Sequence, residues 1–437
     1  MLNFARKSKS PIEFTAITFF IFYLIGFILI PMVSQYGLWK RGPFFVYQQD
    51  RFADLIKVAL SYRHILGDIG SAPQFLLWPE RFRAFFTNNP FLGISALSTG
   101  ALTNLHLAPG GQVISLLAAI MIYVGVSPAE VLCIYFFAYL ALCFKFVTTL
   151  NKLGATKSSK FIAATLLMAS WPAVFAMDRG NFSSLFVSVL IALFVLYVQL
   201  IGKQKNALFV SLLFFSLAIT IRPNIAIFFL FLLVASPPQS YLGLTFKTVF
   251  ASLVVGTTVY LSAHFLYPDY QIHSFLSAYS NYRQIYEIGS AGDLYNNSIY
   301  FPFKFIGKAH LATYVSLLIF LVSGFLIWAY KSRLTVSLYL LCLMAMLCTP
   351  VFADYHMLIF AVPIVFTLVM FPTWKGFDHI DLICLVSSIY LVAPKNYYDI
   401  PSSTLSSFIN PTLGTLAIIY LLLSWILKVK CRREVIG

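Results

Sequence analysis

Thirteen apolar runs, joined mostly by short polar connections, occupy the greater part of this chain. A helix needs roughly 20 apolar residues to cross the 30 Å hydrocarbon core of a bilayer, and most of the runs come close to that length. They lie at 12–33, 111–126, 129–150, 160–177, 181–201, 207–221, 224–236, 248–266, 310–330, 334–351, 356–371, 381–394 and 410–428. The pattern predicts an all-α polytopic membrane protein, a single integral membrane domain over 1–437 with about 12–14 transmembrane helices.

Composition excludes the main alternatives to a membrane protein. Hydrophobic residues make up 60% of the chain and charged residues 10%, whereas soluble proteins carry about 45–50% and 25%. A net charge of +15 would suit a nucleic-acid partner, but the Lys and Arg residues form short clusters between apolar runs. The positive-inside rule predicts that distribution. We therefore expect the lipid bilayer as a partner, and no nucleic acid.

The basic clusters give the predicted orientation in the membrane. They contain Lys152, Lys157 and Lys160, then Lys203 and Lys205, then Lys331 and Arg333, and finally Lys428, Lys430, Arg432 and Arg433. With these clusters in the cytoplasm, both termini are cytoplasmic as well. Thirteen single crossings cannot join two cytoplasmic termini. Either 91–107 crosses as an extra helix, or 111–126 enters the membrane and returns, and the sequence leaves that choice open.

Most acidic residues fall on the outer side in this orientation. They are Asp50, Asp54, Asp68, Glu80, Asp178, Asp269, Glu287, Asp293, Asp354 and Asp399. Acidic residues contribute little to topology, so this bias is independent of the rule that set the orientation. A Walker or Rossmann glycine pattern, which a cytosolic nucleotide site would need, does not occur in the sequence. We expect the functional site on the outer face of the membrane.

The first outer loop, 34–90, contains an amphipathic segment. Within 44–62, Asp50, Asp54 and Lys57 fall on one stripe at helical spacing, while apolar residues cover the remaining surface. This pattern predicts a helix that lies in the membrane interface. Two carboxylates one turn apart repel each other, which favours proton uptake by one of them. The solvated face of an ordinary surface helix would give the same spacing.

Charged residues interrupt the apolar runs at two further places. The sequence Asp-Arg-Gly-Asn at 178–181 joins two spans; a tight turn needs its Gly and Asn, but not an Asp-Arg pair where charge is costly. Arg222 lies within an apolar run and precedes Pro223, which breaks the helix. Such breaks are tolerated where the backbone lines a cavity. A capping turn and a snorkelling arginine are the purely structural alternatives.

Two later outer stretches carry polar groups. The loop 267–309 is rich in Tyr and contains Asn-Asn-Ser at 296–298, a composition that suits sugar binding through ring stacking and amide hydrogen bonds. An interfacial aromatic belt would have the same composition. The sequence Asp-Tyr-His at 354–356 begins a span on the outer side. Since neither His-x₃-His nor HExxH spacing occurs, we predict no metal site built by the protein.

Taken in order, these stretches resemble the polytopic glycosyltransferase family 87, a branch of the GT-C superfamily. The matching sequences are Asp-Arg-Phe-Ala-Asp-Leu at 50–55, Asp-Arg-Gly-Asn at 178–181, Arg222-Pro223, Asn-Asn-Ser-Ile-Tyr at 296–300 and Asp-Tyr-His at 354–356. The resemblance covers about 44–363, and the last two helices add little to it. Leu55 stands where the family usually has an aromatic residue, and no Tyr-Pro-Pro pattern follows. Which of Asp50 and Asp54 corresponds to the catalytic Asp is therefore open, with Asp54 favoured.

The resemblance implies a GT-C-like hexosyltransferase with a polyprenyl-phosphate sugar donor, often a mannose donor. The acceptor would be a cell-envelope glycan or glycolipid on the outer face of the plasma (inner) membrane, with no cofactor, and metal dependence is left open. A lipid-linked glycan transporter or flippase is the alternative, although such proteins usually show two related halves. A glycan polymerase or ligase, which would share the outer-face site, is another alternative.

The resemblance also implies roles for individual residues. Asp54 or Asp50 would be the general base, and Arg179, Arg222 and His356 would bind the donor phosphate. The loop 267–309 is a candidate lid. Sugar-binding or supporting roles fall to Asp178, Asn181, Asn297, Ser298, Tyr300 and Tyr355.

Overall fold

The computed structural model describes residues 10–24, 128–235, 296–331, 333–350, 352–393 and 403–436, with isolated positions between 114 and 126 and between 243 and 257. Every regular element within these residues is a helix. The α-helices are α1 (Pro11–Leu24), α2 (Pro128–Thr149), α3 (Lys157–Ala169), α4 (Trp171–Arg179), α5 (Phe182–Gln199), α6 (Ala207–Ile221), α7 (Phe229–Ala235), α8 (Tyr300–Phe305), α9 (Ala309–Ala329), α10 (Leu334–Leu347), α11 (Ala361–Met370), α12 (His379–Val392) and α13 (Ser403–Ile436). Short 3₁₀ segments lie at Leu150–Leu153, Pro223–Phe228 and Asp354–Phe360.

Five helical stretches among the described residues are long and apolar enough to cross a membrane. They are Glu130–Leu153, Lys157–Met177, Phe182–Gln199, Ala309–Ala329 and Ser407–Val429. Shorter apolar helices lie at Pro11–Tyr23, Ala207–Ile221, Leu334–Leu347, His356–Met370 and His379–Val392. A helix satisfies its own backbone hydrogen bonds, which is why apolar segments adopt this structure in lipid. The prediction of an all-α chain is confirmed for the described residues, and their apolar helices are consistent with the predicted multi-pass membrane protein.

Helix α5 lies at the centre of the bundle. Its residues from Phe182 to Val198 are all buried, as are those of α10 and α11 over almost their whole lengths. Helices α2, α9 and α13 instead expose large apolar side chains, among them Phe144, Leu318 and Leu427. Continuous apolar surface of this kind fits contact with hydrocarbon, because in water it would drive association. The short helices α10 and α11 need not match the bilayer thickness, since protein covers them.

One predicted span is interrupted in the structure. The run 160–177 forms two helices, α3 and α4, because the backbone is extended at Ser170, with ψ of 155°. Pro172 explains the break: it has no N–H to donate, and its ring would clash with the carbonyl of Met168 if α3 continued. Pro223 acts in the same way after α6, where the backbone of Arg222 is extended.

Several predictions lie outside the described residues. Asp50, Asp54 and the predicted interfacial helix at 44–62 are among them, as is the run 91–107. The run 111–126 is described only at isolated positions. The predicted number of spans, the choice between the two threadings and the role of the first outer loop therefore stay predictions.

A charged cluster joins the ends of α10 and α12. The Nη1 atom of Arg333 lies 2.5 Å from Oδ2 of Asp378 and 3.3 Å from Oδ2 of Asp381. Thr335 donates to the other oxygen of Asp381 at 2.8 Å. Burial alone would raise the pKa of Asp378, but the bond to Arg333 and the N–H groups of Asp381 and Ile380 hold that pKa below its ordinary value. Asp378 is therefore ionised at neutral pH, and its ion pair with Arg333 ties the two helices together.

Replacing Arg333 with Met should lower the thermal unfolding midpoint of the purified protein. The Asp381 side chain is only 2% exposed, so the variant leaves a carboxylate without its cation. We expect a loss of about 3 kcal/mol, the lower end of the range for broken buried pairs, because Arg333 itself is 25% exposed. Lys331 is exposed and two residues away, so Lys331→Met is the matched control and should leave the midpoint unchanged. Equal midpoints for the two variants would contradict this assignment.

Candidate functional site

Four of the five motif-bearing stretches meet at one end of the bundle. The 3₁₀ segment 354–360 packs against α4, which ends in the Asp-Arg pair, and against α5, which follows it. The stretches at 222–224 and 296–298 form hydrogen bonds to residues 347–352, just before this segment. The Arg333 cluster lies at the opposite end of α10, whose 14 residues span about 21 Å. The fifth stretch, 50–55, lies outside the described residues.

The Asp-Arg-Gly-Asn sequence forms the turn between α4 and α5. Gly180 ends α4 with a φ of 69°, a left-handed conformation that favours glycine. Asn181 caps α5, because its Oδ1 accepts from the Ser184 N–H at 3.1 Å and from the Ser184 hydroxyl at 2.7 Å. The turn thus accounts for the Gly and the Asn. Asp178 and Arg179 occupy the last turn of α4, and their side chains lie outside the described part of the chain.

Arg222 and His356 interact electrostatically although they are 134 positions apart in the sequence. The Pro223 break brings Arg222 to the end of α6, within electrostatic range of the His356 imidazole. Asn224 holds this turn in place, since its Nδ2 donates to Oγ1 of Thr349 at 3.2 Å. Two of the three residues predicted to bind phosphate therefore belong to one site.

The hydrogen bonding of His356 determines which nitrogen of its ring can donate. Its Nδ1 accepts from the backbone N–H of Ala353 at 3.0 Å. A neutral imidazole carries one proton, so this bond leaves the proton on Nε2. In this tautomer His356 is a hydrogen-bond donor within electrostatic range of a guanidinium. The combination suits an anion with several acceptor oxygens, such as a phosphate.

The Asn-Asn-Ser stretch binds the backbone of the loop after α10. Asn296 donates to the carbonyl of Pro350 at 2.9 Å and accepts from the N–H of Phe352 at 3.0 Å. Asn297 donates to the carbonyl of Phe352 at 3.2 Å, and Ser298 donates to that of Leu347 at 3.2 Å. All three side chains are buried. The structure thus uses them to fix the site's backbone, and a direct role in sugar binding stays a prediction.

Of the two tyrosines predicted to support the site, only Tyr300 has a side chain within the described residues. Tyr300 begins α8, is partly buried, and its hydroxyl donates to Oγ1 of Thr313 at 3.4 Å. The side chain of Tyr355 lies outside the described residues, although its backbone belongs to the 354–360 segment. Among the described residues, no group of three or more His, Cys, Asp and Glu side chains could hold a metal ion.

Three polar residues of this region are not among the site residues predicted from the sequence: Asn224, Thr349 and Asn410. Asn410 is fully buried and its Nδ2 donates to Oδ1 of Asn297 at 2.5 Å. The available signal was an Asn-Pro pair at the start of an apolar run, which is easily taken for the end of a loop. Asn224 follows Pro223 directly, so it could have been assigned to the same break.

No protein-family model, no curated protein and no solved structure matches this chain. The function must therefore be argued from the chemistry of the site itself.

Proposed function

We propose that this protein is a membrane hexosyltransferase whose donor is a polyprenyl-phosphate sugar. It would transfer the hexose, with mannose as the first candidate, to a cell-envelope glycan or glycolipid on the outer face of the plasma membrane. The observation that carries the proposal is the electrostatic interaction of Arg222 with His356. His356 lies in a segment that packs against the two helices joined by the 178–181 turn and follows the Phe352 carbonyl bound by Asn297. A GT-C-like architecture with about 12–14 spans and cytoplasmic termini belongs to the same proposal.

The chemistry of the site matches such a donor. A guanidinium and an imidazole N–H near the helix break at Pro223 can both donate to the oxygens of one phosphate. The site lies at one end of a bundle whose outer surface is apolar, so a lipid tail can stay in the membrane while its phosphate reaches Arg222. A donor anchored in lipid needs no nucleotide-binding motif. The lack of such a motif in the sequence is consistent with this substrate.

The proposed reaction is a single inverting displacement. The carboxylate of Asp54, or of Asp50, takes the proton of the acceptor hydroxyl. The acceptor oxygen then forms a bond to the anomeric carbon, while the bond from that carbon to the phosphate oxygen breaks. Polyprenyl phosphate leaves with the electron pair, and Arg222, His356 and Arg179 stabilise its charge. The anomeric configuration is inverted in the product.

The assay that tests this proposal uses purified protein in proteoliposomes. Radiolabelled polyprenyl-phosphate hexoses are supplied together with membrane lipid and glycan acceptors. We expect label in the acceptor and an equal amount of released polyprenyl phosphate, with Arg222→Met protein as the inactive control. Transport of intact donor across the bilayer without release would instead identify a flippase. The broken helices around 170 and 222 give the flippase specific support, since transporters use similar interruptions.

A further inference from the structure

The last helix reaches the candidate site. Near the start of α13, the ring of Phe408 makes edge contacts with Phe301 and Phe305, with centroid distances of 5.3 and 5.1 Å. Asn410, two residues further along and fully buried, donates from Nδ2 to Oδ1 of Asn297 at 2.5 Å. A helix that adds little to the family resemblance thus contacts the Asn-Asn-Ser stretch through an amide pair and α8 through two aromatic contacts.

From Asn297 a chain of contacts leads to His356. The backbone N–H and the Nδ2 of Asn297 both donate to the carbonyl of Phe352, at 2.8 and 3.2 Å. The ring of Phe352 contacts the imidazole of His356 edge-on, with centroids 5.1 Å apart. The next residue, Ala353, donates its N–H to Nδ1 of His356. The position and the tautomer of His356 therefore depend on where the Asn297 amide holds residues 352 and 353.

An amide at position 410 needs an explanation other than helix stability. The segment from 411 to 427 is predominantly apolar and contacts neighbouring helices of the bundle. A membrane helix would therefore accommodate Leu at position 410 at least as well as Asn. Hydrogen bonds between side chains of membrane helices contribute modestly, about 0.6–2 kcal/mol. Their directionality, however, fixes the distance between the two partners. Asn410 therefore contributes more to the positions of the residues that it contacts than to the free energy of unfolding.

We propose that Asn410 is a positioning residue that acts through Asn297 and Phe352 to set the place of His356 opposite Arg222. The inference rests on the proposed function in so far as His356 binds the donor phosphate. The physical link itself, from α13 to the 352–356 backbone, does not depend on that function. In this arrangement α13 determines donor affinity without contacting the donor.

The test compares Asn410→Leu with Thr412→Val. Thr412 lies two residues further along α13, on the exposed side, and donates only to the carbonyl of Phe408 in its own helix at 2.7 Å. We expect Asn410→Leu to raise the KM for the polyprenyl-phosphate donor about five- to tenfold, because a displaced His356 loses about one hydrogen bond to the phosphate. The kcat should change little, and the thermal midpoint should fall modestly, because the buried Oδ1 of Asn297 loses this donor. Thr412→Val should resemble the unmodified protein in every measurement.

Hydrogen–deuterium exchange of the peptide covering 352–360 provides a readout that does not involve sugar transfer. We expect faster exchange in Asn410→Leu than in Thr412→Val, with the exchange of α5 unchanged. Unchanged exchange at 352–360 would overturn the link from α13, whatever the transfer assay shows. Faster exchange with an unaltered donor KM would overturn the positioning role. An unmodified protein that transfers no sugar from any donor would remove the proposed function, a failure that the exchange data keep separate.

Discussion

Replacing Asp54 with Asn should reduce the rate of sugar transfer by about 10²–10⁴-fold, the range that general-base catalysis usually contributes. Asn has nearly the same size as Asp but does not accept the acceptor's proton at neutral pH. The protein should remain abundant and folded, because the residue belongs to a predicted polar stripe of the first outer loop. The measurement is the initial transfer rate at saturating donor and acceptor, since a missing base lowers kcat rather than binding.

Two companion variants make this prediction specific. Asp50→Asn tests the other carboxylate of the stripe, and only one of the two variants should show the full 10²–10⁴-fold reduction in transfer rate. Asp68→Asn removes an acid from the same predicted outer loop but outside the amphipathic segment, and it should retain the original rate. Normal transfer in both Asp50→Asn and Asp54→Asn would reject a first-loop base and with it the mechanism proposed above.

The boundaries of the long helices follow closely from the sequence. The predicted runs 129–150, 207–221 and 310–330 appear as Pro128–Thr149, Ala207–Ile221 and Ala309–Ala329. Polar, Gly or Pro residues flank these runs, so the change in hydropathy marks the helix ends within a residue or two. The start of α13 is less well predicted. It begins at Ser403 rather than 410, because the helix continues through Pro411, which membrane helices tolerate.

The candidate site is only partly predictable because its geometry depends on contacts between distant residues. The sequence identifies Arg222 and His356 as unusual groups in apolar surroundings, and the structure brings them together. The sequence gives no indication that the Asn297 amide donates to the backbone carbonyl of Phe352, or that Asn410 donates to Asn297. A polar residue that binds a ligand and one that forms hydrogen bonds to the main chain look the same in the sequence. Only tertiary structure distinguishes the two.

Replacing Arg222 with Met should lower kcat/KM for the polyprenyl-phosphate donor by about 10²–10³-fold, as the loss of one preorganised donor to a developing anion does. Arg222→Lys keeps the charge but not the bidentate geometry and should recover part of the loss. Lys308, an exposed cation at the same end of the bundle, provides the control, and Lys308→Met should leave donor use unchanged. Equal effects of the Arg222 and Lys308 variants would point to general electrostatic attraction in place of a phosphate site.

A double-mutant cycle with His356→Leu tests whether both residues act on one phosphate. If they do, removal of either displaces the same group, so the combined loss in kcat/KM should be clearly smaller than the product of the single losses. The thermal midpoint of each variant, measured in the same preparation, separates this coupling from unfolding. Fully multiplicative losses would mean that Arg222 and His356 contribute independently. Their proximity would then be a feature of packing, and the site would lose the anion-binding pair on which the assignment of a phosphate-linked donor depends.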